Sequence, residues 1–289
     1  MYAIMGITGR VGAATARALL NDGKKVRGIV RDKSKAAVWK ANGAELAVAD
    51  WNDPAALEAA LHGVEGVFVM IPPNFAPAPG YPETRQILAG LRQALDAARP
   101  PKAVYLSSVG AQHPTGLGLI TQLHILEQEL GGLPIPGAFI RPAWFLENFQ
   151  LDVASARDQG EIASFLHPLD KKFPMVATED IGRLAGKVLQ EKWTGNRRLE
   201  LEGPERYSQL DAAATFSRLL GRPVRANLVP REAWQSLFET QGMPVDRTAP
   251  RIEMLDGFNS NWIAFEENGT EHFRGNCMLE EVFQNLLQR

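Results

Sequence analysis

The chain has one cysteine, Cys277, in 289 residues. A single cysteine makes no internal disulfide and no multi-cysteine zinc site, so a reducing, cytoplasmic location is expected. Charge of one sign is also lacking: 31 basic residues stand against 33 acidic ones, a formal net charge of -2. The basic residues are spread along the chain without forming a run, which argues against a nucleic-acid or acidic-membrane partner. No apolar run reaches bilayer-spanning length, and no basic stretch followed by an apolar one opens the sequence. Neither a membrane segment nor a signal peptide is therefore expected. There is no internal repeat and no low-complexity segment. The sequence has no His-Glu-x-x-His run, no Gly-x-Ser-x-Gly elbow and no Walker loop ending in Gly-Lys-Ser/Thr. Zinc-protease, elbow-type hydrolase and P-loop chemistry are set aside, and no metal is expected.

What is present is a regular alternation of strand and helix patterns. Short apolar runs at residues 2–5, 25–30, 45–48, 66–71, 103–106 and 137–140 read as strands. Between them, apolar residues at helical spacing run over about 11–20, 34–42, 54–62, 83–98 and 119–130. Asp53-Pro54 is a strong helix start, a capping carboxylate followed by proline at the first helical position, and Ser34 is read as the cap of the second helix. Such alternation predicts a parallel sheet covered on both faces through right-handed crossovers. After Arg141-Pro142 the pattern loosens. A helix over 182–190 and a strand over 198–201 are expected to return to the main sheet. Further helices are expected at 210–220, 232–240 and 279–287. The segment rich in Pro, Asn and Gly between the last two carries Phe258, Trp262 and Phe265, read as exposed. The organisation predicted is a doubly wound α/β unit over residues 1–150, with 176–203 returning to it, and a smaller, mostly α substrate unit made of 151–175 and 204–289.

The most informative stretch is Gly6-Ile7-Thr8-Gly9-Arg10-Val11-Gly12, between the first strand and the first helix. A dinucleotide pyrophosphate needs this geometry there. The helix N-terminus offers unpaired backbone N–H groups and the positive end of its dipole. Glycines permit the turn, the approach of a phosphate and close packing of helix on strand. Gly6, Thr8, Gly9, Arg10, Val11 and Gly12 are thus candidate cofactor residues. The second strand ends in Val30-Arg31, followed by Asp32, Lys33 and Lys35. A NAD site usually carries an acid there for the ribose hydroxyls, an NADP site a basic residue for the 2′-phosphate. Arg31 grips a phosphate bidentately, and Arg10 is a second basic candidate, so NADP(H) is favoured over NAD(H). Asp32 remains a candidate for a ribose.

With these features the chain resembles the NmrA-like family of atypical short-chain dehydrogenases. The resemblance is carried by the glycine loop, Val26 to Arg31, Leu106-Ser107-Ser108-Val109-Gly110, and Arg141-Pro142-Ala143-Trp144-Phe145-Leu146-Glu147-Asn148. Gly257 to Trp262 fits one branch of the family. The resemblance implies a Rossmann-type NAD(P)-binding sheet. It implies that Asp50 and Trp51 lie near the adenine, and that Ile71 and Pro72 line the cofactor trough. Ser107 and Ser108 are implied near the nicotinamide ribose, and Pro142, Phe145 and Asn148 beside the nicotinamide and the substrate cleft. His113, which follows the serine loop, joins Phe145 and Asn148 as a substrate-side candidate.

The same resemblance exposes a gap. Conventional short-chain dehydrogenases use a tyrosine and, four residues later, a lysine for proton transfer. Those positions are Leu119 and Leu123 here, counted back from Glu127, and none of the four tyrosines restores the pair. His124 and Ser108 are the remaining candidates for a proton donor. Two readings follow. One is an NADPH-dependent reductase that passes hydride to an electron-poor conjugated acceptor such as a quinone or a cationic dye, whose reduction makes little demand on a protein acid. The other is a non-catalytic NADP(H) redox sensor that contacts a regulatory protein. The expected partner is a small-molecule acceptor in the first case and a protein in the second.

Overall fold

The computed structural model describes residues 1–266 and 268–288, excluding the side chain of Lys35. Its centre is an eight-stranded sheet. Six strands come from the first half of the chain: β1 (Tyr2–Met5), β2 (Val26–Val30), β3 (Glu45–Val48), β4 (Gly66–Val69), β5 (Ala103–Leu106) and β6 (Gly137–Pro142). They run in the order β3-β2-β1-β4-β5-β6, followed by the Asn196–Glu202 strand and, at the edge, the Glu271–Arg274 strand. Every pairing in this sheet is parallel. The order reverses between β1 and β4, which is where open α/β sheets leave a crevice beyond the strands' carboxyl ends. The fold is the expected doubly wound parallel sheet.

The connecting helices are α1 (Arg10–Asn21), α2 (Ala37–Ala41), α3 (Pro54–Leu61), α4 (Pro82–Ala98) and α5 (Thr121–Gly131). Buried apolar residues of the sheet pack against α1, α2 and the Thr178–Gln190 helix on one face. On the other they pack against α3, α4 and α5. Close packing of α1 on the Thr178–Gln190 helix requires small residues. A Cβ on Gly182 would stand 2.2 Å from the Cβ of Ala14. Asp53 caps α3 as its sequence predicts, accepting the N–H of Ala56 at 3.0 Å.

Three local expectations change. The cap after β2 is Asp32, not Ser34: its carboxylate accepts both the N–H and the hydroxyl of Ser34, at 2.9 and 2.7 Å, and opens a tight 3-10 turn before α2. Phe258, read as exposed, is buried, because residues 249–259 form a helix and Phe258 meets Trp144 edge-on at 5.0 Å. The Glu271–Arg274 strand, drawn from the stretch expected in the smaller unit, joins the main sheet beside the Asn196–Glu202 strand. A second buried cluster gathers Phe149, Phe216, Trp234, Phe238, Phe258 and Phe283, mostly from after residue 145. Helices surround it, with one three-stranded and one two-stranded sheet.

Candidate functional site

The glycine loop leaves β1 at its carboxyl end. Gly6 has φ +66°, and a Cβ there would sit 2.4 Å from Met70 Sδ, just beyond β4. The Gly9 N–H closes the turn onto the Gly6 carbonyl at 2.8 Å. Gly12 abuts the same carbonyl: an added Cβ would lie 2.2 Å from Gly6 O and 2.8 Å from Met5 O. The first turn of α1 therefore presses on the strand end with no room for a side chain. Gly9 caps the helix without a side-chain acceptor, and no acid lies in the first turn. The first-turn N–H groups have no intrahelical partner and face the strand-end edge. Thr8, Gly9 and Arg10 are exposed there, whereas the Val11 side chain is buried, so Val11 offers only its backbone. A glycine cradle with an uncapped, acid-free helix N-terminus fits a pyrophosphate.

Arg31 follows β2 and is exposed. The neighbouring β3 end is tied to it through the Ala49 N–H on Val30 O, 3.1 Å, which brings Asp50 and Trp51 to the same edge. Asp50 accepts from the backbone and side chain of Asn52 at 3.0 and 3.1 Å. Trp51 is half-buried against the α3–α4 layer. The side chain of Lys35 lies outside the described residues, and Lys33 is exposed. Arg10 is turned away from Arg31. Its guanidinium donates to Glu147 O at 3.2 Å and approaches Gln150 Oε1 at 3.5 Å, linking the glycine loop to the Leu146–Asp152 turn. Ile71 is buried and Pro72 half-buried beyond β4.

At the β5–β6 end the serines meet a buried charge network. The Ser107 N–H donates to Ile140 O at 2.8 Å and Val109 N–H to Pro142 O at 3.0 Å, so the serine loop and Pro142 are held side by side. The Ser107 hydroxyl donates to Glu127 Oε1 at 2.5 Å. Arg141, only 1 % exposed, grips both oxygens of Glu127 at 2.8 and 2.7 Å and donates to Glu266 Oε2 at 2.7 Å. The Glu266 N–H in turn donates to the buried Glu200 carboxylate at 2.8 Å. Burial raises the pKa of Glu200, opposed by that N–H and by His272, whose ring lies 3.5 Å away. Arg141 loses solvation but is held above its ordinary value by the two carboxylates it bonds. Sequence reasoning used Glu127 only as an alignment mark and missed Glu200 and Glu266. These partners are 14 and 125 residues from Arg141, and no local pattern signals them.

The proton-donor candidates are each engaged. His124 Nδ1 lies 2.8 Å from Ala111 O, an acceptor only, so the Nδ1 proton is given to that carbonyl. The Ser108 hydroxyl donates to Val109 O at 3.1 Å. Leu119 is buried and Leu123 half-buried. Tyr81 brings its hydroxyl next to the first of these positions but donates it to Gly118 O at 2.8 Å, and burial raises its pKa. Of the acceptor-side candidates, His113 stacks on half-exposed Trp262 with centroids 4.1 Å apart. The stack is locked by small residues: a Cβ on Gly116 would stand 2.9 Å from the Trp262 indole nitrogen, and one on Gly110 2.8 Å from Ile263. Phe145 is half-buried against the sheet, and Asn148 is exposed in the turn that Arg10 holds. Concavities of about 400 and 500 Å³ lie elsewhere, around Glu200 and His272 and around Arg27 and Ala59. Among the described residues no group of three or more His, Cys, Asp or Glu is placed to hold a metal, and no helix is long and apolar enough to cross a membrane.

Comparison with known proteins identifies the family and matches the fold. The model of the NmrA-like family matches residues 2–266. An NAD(P)H azoreductase of Xenophilus azovorans is 28% identical over 245 residues, covering 84% of this chain and 82% of that protein. The crystal structure of an NADPH-dependent quinone oxidoreductase from Escherichia coli, complexed with NADPH, superposes with a TM-score of 0.81 at 23% identity, covering 99% of both chains. A triphenylmethane reductase from Citrobacter sp. gives 0.79 at 20% identity over 100% of this chain and 99% of that one.

Proposed function

We propose a function from one premise: the chain belongs to the NmrA-like family. It binds NADP(H) in preference to NAD(H) along the strand-end edge and passes hydride to an electron-poor conjugated acceptor. The observation that carries the binding is the cradle of Gly6, Gly9 and Gly12, sealed so tightly that a Cβ on Gly12 has no space, beneath an uncapped helix N-terminus. The first-turn N–H groups and Thr8 hold the pyrophosphate, and Arg31 holds the 2′-phosphate. Asp50, Trp51, Ile71 and Pro72 line the trough, and Ser107, Ser108 and Pro142 hold the nicotinamide end. When bound, the cofactor supplies hydride; the protein positions it and screens it from water.

The acceptor follows from the donors. Reducing a simple ketone creates an alkoxide that needs a nearby acid. Here Leu119 and Leu123 replace the tyrosine and lysine, and the Tyr81, Ser107 and His124 donors are spent on Gly118, Glu127 and Ala111. A quinone gives a delocalised anion and a cationic dye merely loses its charge, so solvent supplies any later proton. The stacked His113 and Trp262, with Phe145 and Asn148, form the acceptor side. The names of the relatives, an azoreductase, a quinone oxidoreductase and a triphenylmethane reductase, support conjugated acceptors.

The work divides between residues 1–150 with 176–203, which hold the cofactor and carry His113, Phe145 and Asn148, and 151–175 with 204–289, which bring Trp262 over the acceptor, the edge strand Glu271–Arg274 excepted. The lone Cys277 suits a reducing cytoplasm. A second reading is favoured by the same Leu119 and Leu123: a redox sensor that binds NADP(H) and reports it to a regulatory protein. Following NADPH absorbance with a panel of quinones and cationic dyes separates the two. Turnover of at least one acceptor is expected. Tight NADPH binding with no oxidation by any acceptor would leave the sensor.

A further inference from the structure

We infer that Glu127, clamped by Arg141, is a positioning residue that fixes Ser107 as a hydrogen-bond acceptor for the nicotinamide ribose end of the cofactor; this rests on the NADP(H) binding proposed above. A serine hydroxyl has one hydrogen to give. Ser107 gives it to Glu127 Oε1 over 2.5 Å, the short distance of a hydroxyl bonded to an ionised carboxylate. Glu127 is not able to turn and return that hydrogen. Both its oxygens are taken by the Arg141 guanidinium, and Arg198 Nε lies 3.7 Å from Oε2. Each oxygen already accepts from a guanidinium that has no lone pair to offer, so Glu127 acts here as an acceptor.

Arg141 is itself fixed from the far side by Glu266, and Glu266 by Glu200, so the orientation of one hydroxyl is anchored by four charged side chains. Ser107, only 4 % exposed, is thereby left with lone pairs and no hydrogen on Oγ at the end of β5. A cofactor group that reaches it must donate. The nicotinamide end of the cofactor has such donors, in its ribose hydroxyls and its carboxamide N–H. The oxygen of a quinone has none, and a developing oxyanion would be repelled. Ser107 therefore acts on the cofactor and not on the acceptor, which assigns a direction to a strand-end hydroxyl that sequence alone leaves open.

Calorimetric titration tests this with NADP+ and two analogues, one lacking the nicotinamide ribose hydroxyls and one carrying 3-acetylpyridine in place of nicotinamide. Ser107→Ala is expected to weaken NADP+ about tenfold, while leaving one of the two analogues within about twofold of its affinity for the unaltered protein. Glu127→Gln should reproduce the loss and add nothing to it when combined with Ser107→Ala; should that variant not fold, Ser107→Ala decides alone. In turnover with a quinone, the loss should fall on NADPH half-saturation more than on kcat. An equal loss for NADP+ and both analogues, or a loss in kcat at undiminished affinity, overturns the acceptor role. Failure of the unaltered protein to bind NADP+ at all overturns the binding reading itself, and with it the inference.

Discussion

The β1–β3 end and the β5–β6 end of the sheet share one edge but are built by opposite means. At β1 the site is backbone: Gly6, Gly9 and Gly12 shape it by what they lack, and a Cβ on Gly12 would stand 2.2 Å from a carbonyl only six residues back. At β5 and β6 the site is side chain: Ser107, Glu127, Arg141, Glu266 and Glu200 come from five separate stretches of the chain and hold one another by charge and hydrogen bonds. A backbone site is fixed once the local chain folds. A charge network is fixed only when the whole molecule has closed around it, and it responds to protons.

The contrast predicts different failures. Arg141→Met should be the most damaging single change, because it leaves Glu127 buried without its partner and frees Glu266. Losing one member of a buried pair costs about 3–5 kcal/mol. The defect should depend on pH in one direction. With only the more distant Arg198, 3.7 Å away, left beside it, the buried Glu127 charge is poorly compensated, so stability should be retained in acid and lost as pH rises. Urea unfolding at pH 5 and pH 8 checks this, and an equal loss at both would deny that charge holds this end.

Gly12→Ala should cost about 3 kcal/mol through overpacking, with no dependence on pH. Elsewhere in a helix the same change stabilises by about 1 kcal/mol. The reversal of sign is the signature of a helix pressed against its strand. Thermal unfolding together with NADPH titration reads both effects, and a variant as stable as the parent would mean that the loop has room to relax.

The difference between the two ends also explains what the sequence disclosed. Strand, glycine loop and first helix are adjacent in the chain, and each obeys a local rule, so the turn from Gly6 to Gly12 was legible at once. The Asp53-Pro54 start was legible for the same reason. Asp32 took the cap expected of Ser34 because both are good caps two residues apart, and only the turn's geometry decides. Residues 249–259 were missed because their apolar residues do not fall on one face, and Phe258 is buried by contacts from distant elements. The Glu271–Arg274 strand carries two charges, a histidine and a single apolar residue, and is recognisable only by its place beside the Asn196–Glu202 strand. Leu119 and Leu123 could be seen as a gap, but not that the nearby donors of Tyr81, His124 and Ser107 are spent on neighbours.

The Leu146–Asp152 turn, which Arg10 ties to the glycine loop, offers a smaller test. Burial raises the Asp152 carboxyl from 3.8 to about 6, against the pull of the Ala163 N–H it accepts at 3.1 Å. A folded-state pKa above the unfolded one means full stability below 3.8, lost as pH rises through about 6. That loss is worth roughly 2–3 kcal/mol. Asp152→Asn keeps the acceptor and removes the charge, so it should raise the melting temperature at pH 8 and leave it unaltered at pH 3.5. A lower melting temperature at pH 8 would show that the carboxylate is stabilised by something the geometry does not contain.

The smallest effect sharpens the cofactor end alone. Arg31 is exposed, so a phosphate held there is partly screened and worth about 1.4 kcal/mol, or tenfold in affinity. Calorimetry should find NADPH binding about tenfold tighter than NADH, the two converging in Arg31→Ala. Raising the salt concentration should narrow the gap in the parent and not in the variant, since only an exposed charge is screened. Equal affinities in the parent would remove the preference for NADP(H). A preference that survives Arg31→Ala would shift the phosphate contact to Arg10, which would have to leave Glu147 and Gln150 to make it. In that event the cofactor would release the Leu146–Asp152 turn as it bound, and the two ends of the edge would be coupled through one guanidinium.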